Sequence, residues 1–247
     1  MSGHNKWSSI KHKKGAADAK RGKIFSKLIK EISVAARFGG GDPNTNAKLR
    51  TILDKARIAN MPNDNVARAI KRGTGEIEGM SYEEVMFEGY GPSGVAVLVD
   101  TLTDNRNRTV AELRHIFSKR GGNLGEAGCV AWMFSKQGLF TFDRAIGEEK
   151  LMNTLLEAGA EDIEDDGDFI SVTTSQQNFE AVKKACDDAG IKYTDAEVSM
   201  VPQNTVKLGA EDAQKILNLM NDLEDYDDVR NSYANFDIDE ETMKKLS

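Results

Sequence analysis

The chain has 247 residues, of which 39% are hydrophobic, enough to build buried cores and too many for global disorder. It holds no apolar run of about 18 residues, so no membrane-spanning helix is expected. The polar opening segment has no apolar signal-peptide core, and two cysteines, Cys129 and Cys186, suit a reducing cytoplasm and exclude a disulfide framework. The formal charge of −7 conceals a division. Residues 1–75 carry 17 Lys+Arg against 5 Asp+Glu, a net +12, and the remainder carries 16 against 35, a net −19. Such asymmetry points to a polyanion-binding arm on an acidic body; the plainer alternative is a set of solvated basic helices.

In residues 1–22, Lys6, Lys11, Lys13, Lys14, Lys20 and Arg21 have only Trp7 and Ile10 as apolar anchors. A segment of this kind is expected to be mobile alone and to order on a polyanion. Residues 23–38 read as an amphipathic helix. At about 100° per residue, Ile24, Phe25, Leu28, Ile29, Ile32, Ala35 and Ala36 share one side. Lys23, Lys27, Lys30 and Arg37 form a stripe on the other side, expected to face solvent. Gly39-Gly40-Gly41-Asp42-Pro43 ends that helix. Thr45 or Asn46 caps a second helix with Leu49, Ile52, Leu53 and Ala56 inward. A third turns Val66, Ala67 and Ile70 inward and stops at Gly73, after Lys71-Arg72. Three short helices suggest a small bundle. Residues 74–80 then link it to the acidic part.

That part alternates strand and helix patterns. Residues 84–90 and 95–102 read as strands joined by a Gly-Pro-Ser-Gly turn, 109–120 as a helix and 128–134 as a strand. Residues 139–142, 148–157, 160–163, 168–174, 177–189 and 192–200 then read β-α-β-β-α-β, the order of a ferredoxin-like unit. Residues 205–208, 210–223 and 229–236 follow as β-α-β and are expected to complete the sheet begun at residue 84. The expected architecture is α+β multidomain: a three-helix domain over 1–78, a split α+β domain over 79–135 plus 204–240, and a ferredoxin-like domain over 136–203 inserted in it.

Most apparent motifs dissolve on inspection. Gly89-Tyr90-Gly91-Pro92-Ser93-Gly94 matches G-x-G-x-x-G, yet it leads into a strand, whereas a dinucleotide loop must open a helix. No Walker loop, Cys-x-x-Cys or His-Glu-x-x-His spacing occurs, so no cofactor and no metal are expected. The acidic runs at 161–168 and 222–228 are expected to be solvated turns rather than a cation site for a nuclease. Asp104-Asn105-Arg106-Asn107-Arg108-Thr109 joins a strand to a helix, which suits phosphate at a helix N-terminus and equally suits ordinary capping by Asp104 or Asn105.

Four strings carry a resemblance. Residues 3–32 (GHNKWSSIKHKKGAADAKRGKIFSKLIKEI), 39–76 (GGGDPNTNAKLR through KRGTGE), 87–134 (FEGYGPSGVAVLVD through GCVAWMF) and 233–239 (YANFDID) closely resemble the YebC/PmpR family, over almost the whole chain. The resemblance implies three domains around a cavity, no enzymatic activity, a cytoplasmic location and binding of promoter DNA as a transcriptional regulator. It also implies an alternative, since a mitochondrial relative activates translation of cytochrome oxidase subunit I and members are linked to stalled ribosomes: a translation factor on ribosomal RNA. The matched basic positions are Lys11, Lys13, Lys14, Lys20, Arg21, Lys23, Lys27, Lys30, Lys71, Arg72, Arg106 and Arg108, and charge makes them the expected phosphate contacts. The oligomeric state and any small effector are not legible in the sequence.

Overall fold

A computed structural model of the chain describes residues 18–79, 81–165, 167, 169–239 and 241–242, with the side chains of residues 18–21 excepted. The first helix, α1 (Asp18–Gly39), starts ahead of the expected residue 23. Its Leu28, Ile32 and Ala35 close a small core with Leu49, Ile52 and Ala56 of α2 (Ala47–Ile58) and Ala69 of α3 (Asn63–Gly73). Asn46, not Thr45, caps α2. Its side-chain oxygen accepts from the Leu49 N–H at 3.0 Å, and its amide donates to the Ala35 and Gly40 carbonyls, fastening α2 to the end of α1. Gly73 lies directly on the Ser33 carbonyl, where any side chain would collide, and this lets α3 cross α1 closely. On α3 the fully buried residue is Ala69, between half-buried Val66 and Ile70; Ala67, expected inward, faces out.

Strands β1 (Glu83–Tyr90) and β2 (Ala96–Thr103) form an antiparallel hairpin joined at Pro92–Gly94, so the Gly-rich string is a turn. The four-stranded sheet runs β3-β1-β2-β9, where β3 is Asn123–Leu124 and β9 is Val229–Ala234. Helices α4 (Arg106–Lys119) and α7 (Ala210–Asp225) cover one face. Leu113, Phe117, Ile216, Met220 and Leu223 pack there on Phe87, Val97 and Val99. β8 (Val206–Lys207) does not join this sheet as expected; it pairs in parallel with β10 (Phe236–Asp237).

The second unit comprises β4 (Phe134–Asp143), α5 (Glu148–Leu155), β5 (Ala160–Asp165), β6 (Phe169–Ser175), α6 (Phe179–Asp188) and β7 (Tyr193–Pro202). Its order β5-β6-β4-β7, antiparallel throughout, is the ferredoxin-like one. Gly138 in β4 lies under Phe179, and a Cβ there would come within 2.6 Å of both Phe179 and Thr174. The unit is inserted in the first. Phe134 pairs with Pro202, and the Gln203 N–H donates to the Met133 carbonyl at 2.8 Å, so the chain leaves and re-enters its host side by side. Host and insertion share an apolar seam of Ala96, Leu98, Val130, Phe134 and Tyr233 with Met133 and Met200.

The strand expected over 128–134 does not form. Glu88 is buried in β1, and its carboxylate accepts the N–H groups of Gly128, Val130 and Ala131 at 2.6, 2.8 and 2.7 Å. Amides captured in this way are not available to a ladder, and the segment becomes a loop with a 3₁₀ turn at Ala131–Met133. Burial would raise the Glu88 carboxyl, but these three bonds outweigh it and hold it below the ordinary carboxylate value. Among the described residues, no helix is long and apolar enough to cross a membrane.

Candidate nucleic-acid interface

Lys11, Lys13 and Lys14 lie outside the described residues. Lys20 and Arg21 fall in the first turns of α1, their side chains outside the description. The stripe of Lys23, Lys27 and Lys30 does not face open solvent. It lies against the C-terminal end of α7 and the turn that follows. Lys23 Nζ donates to the Asp225 carbonyl at 3.1 Å and pairs with its carboxylate at 3.4 Å. Lys27 donates to the Glu224 carbonyl. Lys30 donates to the Asp227 carbonyl at 3.0 Å and to Asp228 Oδ1 at 2.7 Å. A helix C-terminus carries partial negative charge on its unpaired carbonyls, so lysines at this end are favourably placed even before the carboxylates are counted. The acidic run 222–228, expected to be a solvated turn, is therefore a partner for cations. Its first residue, Asp222, receives a bidentate fork from Arg120 at 2.8 and 3.0 Å.

Asp228 is the centre of this junction, with its side chain only 3% exposed. Besides Lys30, it accepts from Arg108 at 2.7 Å, Thr109 at 2.9 Å and the Tyr226 hydroxyl at 3.1 Å. Burial pushes its carboxyl up, but the bonds from Lys30, Arg108 and Thr109 outweigh burial and hold it well below the usual carboxylate range. Lys30, Tyr82, Asp104, Arg108, Tyr226, Asp227 and Asp228 line a cleft of about 290 Å³ between the bundle and the first sheet unit. Arg108, expected to meet phosphate, is held instead by Asp228 and by Asp104 at 2.8 Å. Asn105 is the N-cap of α4, accepting the Arg108 N–H at 3.1 Å, so capping accounts for this loop. Arg106 beside it is exposed.

A second polar junction lies one strand away. Arg230 forks onto Asp100 at 2.8 and 3.0 Å and reaches Glu84 at 3.2 Å, and Glu84 accepts from Lys48 of α2 at 2.8 Å. Glu31 of α1 is turned to this network, and burial raises its carboxyl despite the nearby charges of Lys55 and Arg230. Asp228, Arg230 and Glu88 were invisible as special residues in the sequence. An acid within an acidic run, or an arginine within a strand, gives no local sign of a distant partner.

The outward face of α3 remains open. Arg68, Lys71 and Arg72 are exposed there, one helical turn apart, beyond the buried Ala69. Lys71 and Arg72 make no ion pair with the described residues. Arg50 and Arg57 of α2 are also exposed. This face, Arg50, Arg57 and Arg106 form the cationic surface that the bundle and the start of α4 leave exposed among the described residues.

Comparison with known proteins covers almost the whole chain. Residues 5–76 match a family model described as the TACO1/YebC protein N-terminal domain, and residues 82–236 one described as the TACO1/YebC second and third domain. A probable transcriptional regulatory protein of Geobacter sulfurreducens is 59% identical over 246 residues, covering 100% of both chains. One of the same description from Desulfatibacillum aliphaticivorans is 58% identical over 244 residues, covering 98% of this chain and 99% of the other. The crystal structure of a conserved hypothetical protein from Aquifex aeolicus superposes with a TM-score of 0.82 at 46% identity, covering 90% of this chain and 93% of that one.

Proposed function

The chain belongs to the TACO1/YebC family, and on that footing we propose that it is a non-enzymatic, DNA-binding regulator of transcription that grips the phosphate backbone through its helical bundle. The observation that carries this reading is the charge division: a net +12 over residues 1–75, with Arg68, Lys71 and Arg72 exposed on one helix face. Curated relatives that match the chain end to end bear the description of probable transcriptional regulators. Lysine-led contacts act as point charges on phosphates and read no bases, so the target sequence must enter through DNA shape or through a partner. The same cationic segment on an acidic body supports a second reading, ribosomal RNA as the polyanion and translation as the process.

The test is fluorescence anisotropy with a labelled duplex and a labelled ribosomal RNA fragment, against the triple variant Arg68→Glu, Lys71→Glu, Arg72→Glu. Affinity should fall by roughly tenfold or more, and the salt slope on duplex DNA should shrink by about 0.9 per lost phosphate contact. Unchanged affinity and slope would remove the bundle face from the interface. Crosslinking in living cells then separates the targets: promoter DNA without ribosomal RNA supports transcription, and ribosomal RNA without DNA peaks supports translation.

A further inference from the structure

We propose that Lys23, Lys27 and Lys30 form a latent phosphate-backbone site that the acidic end of α7 holds shut, and that a nucleic acid opens it by displacing Asp225 and Asp227 from the lysines. This rests on the polyanion-binding reading above and adds a second, competed site to the open face of α3. Four observations lead to it.

The first is spacing. Positions 23, 27 and 30 fall on one side of α1 over about 10 Å of helix, at 1.5 Å per residue. That is roughly three phosphate spacings along the axis of one duplex strand, at about 3.4 Å each. In the closed form the same three ammonium groups meet oxygens of one short segment: Lys23 those of Asp225, Lys27 that of Glu224, and Lys30 those of Asp227 and Asp228. The helix end thus presents to α1 what a phosphate backbone would present, a line of anionic and carbonyl oxygens on a partly negative terminus.

The second is the nature of the junction. The bundle has its own closed core, and no hydrophobic cluster of the described residues joins it to either sheet unit, whereas the two sheet units share the seam around Phe134 and Tyr233. The bundle meets the sheet units largely through polar contacts: the three lysines, Lys48 on Glu84, Lys55 on Glu197 at 3.5 Å, and Arg37 on the Ser81 hydroxyl, with Val34 an apolar residue buried on the lysine side of α1. Polar junctions of this kind let domains move, and an ionic one weakens as salt or a competing polyanion rises.

The third is what release leaves behind. Asp228 is too buried to lose all its partners, but without Lys30 it keeps Arg108, Thr109 and Tyr226. No uncompensated buried charge results. The fourth is that Asp225 and Asp227 are exposed, so an incoming anion can reach the contact from outside.

The experiment uses the full chain and two readouts. Zero-length carbodiimide coupling joins Lys23 to Asp225, both accessible and 3.4 Å apart, with the intrahelical pair Lys215–Glu211 at 2.7 Å as internal control. Peptides are quantified with and without a saturating duplex DNA probe. In parallel, probe affinity is measured for Asp225→Asn, which removes the carboxylate paired with Lys23, against the charge-matched control Glu211→Gln, remote from the lysines. The expected result is loss of most Lys23–Asp225 coupling on probe binding with the control pair unchanged, and affinity severalfold higher in Asp225→Asn than in Glu211→Gln. Coupling that persists on the saturated protein, or an Asp225→Asn variant that binds no more tightly than its control, overturns the latent site and leaves the α3 face standing. Failure of all three proteins to bind duplex or RNA probes removes the polyanion reading and this site together.

Discussion

Replacing Asp228 by Asn leaves shape intact and removes the charge that faces Lys30 and Arg108. Taking one partner from a buried ion pair costs about 3–5 kcal/mol. Arg108 is 51% exposed and recovers water, whereas Lys30 is 15% exposed and does not. The loss should therefore fall at or just below the bottom of that range, about 2–3 kcal/mol. At about 2–4 °C per kcal/mol for a chain of this size, Tm should drop by roughly 5–10 °C. Urea unfolding followed by circular dichroism gives the free energy. A cycle with Lys30→Met should show a coupling of about 1–2 kcal/mol, and Lys30→Met alone should cost less than Asp228→Asn because Asp228 keeps Arg108. The pH dependence has a definite sign. The Asp228 carboxyl is depressed in the fold, so its contribution is fully present above the unfolded Asp value of about 3.9 and is lost as pH falls through the folded value. The gap between wild type and variant should be flat from about pH 5 to about pH 8 and narrow on further acidification. A gap below about 0.5 kcal/mol at neutral pH, or one that widens in acid, would refute the account of this cluster.

Glu88→Gln should cost about 2–3 kcal/mol, because three buried N–H groups lose a charged acceptor; faster amide exchange at Gly128, Val130 and Ala131 would locate the loss, and unchanged exchange would contradict it. Gly138→Ala should destabilise by about 1–3 kcal/mol through collision with Phe179 and Thr174, read as a lower Tm. Glu31→Gln should have the opposite sign. Burial raises the Glu31 carboxyl, so its ionised form weakens the fold as pH rises through that raised value; the variant should be more stable at neutral pH, by about 1 kcal/mol, with the advantage vanishing in acid. A destabilised variant at neutral pH would show that Glu31 is well paired.

Much of the fold was legible because it is written in local periodicity. The 3.6-residue spacing of Leu28, Ile32 and Ala35 gave α1, the strand into which Gly89–Gly94 leads gave a hairpin turn, and the β-α-β-β-α-β order gave the ferredoxin-like unit. What failed depended on distant partners. The run from Cys129 to Phe134 is apolar enough to read as a strand, but Glu88, some forty positions earlier, takes its amides. The lysine stripe was recognised as a face and misjudged as to what it faces, because helical periodicity separates two sides and does not say whether the polar one meets water or carboxylates. Arg108 is a similar case: a cation beside a helix N-terminus suits phosphate, and the sequence gives no sign of its partner Asp228 from the far end of the chain. Lys71, Arg72 and Arg106 are exposed.

The paired ends of the inserted unit have a consequence for how the chain is made. Seen from the host sheet, everything between Met133 and Gln203 is one closed loop, shut at its neck by a single hydrogen bond and the Phe134–Pro202 pair. Strand β2, in the middle of the host sheet, waits for β9, which leaves the ribosome only after the whole insertion. The bundle and the ferredoxin-like unit, each with its own core, are complete by then. The acidic end of α7 emerges just ahead of β9, so during synthesis the lysines of α1 are made long before the segment that covers them.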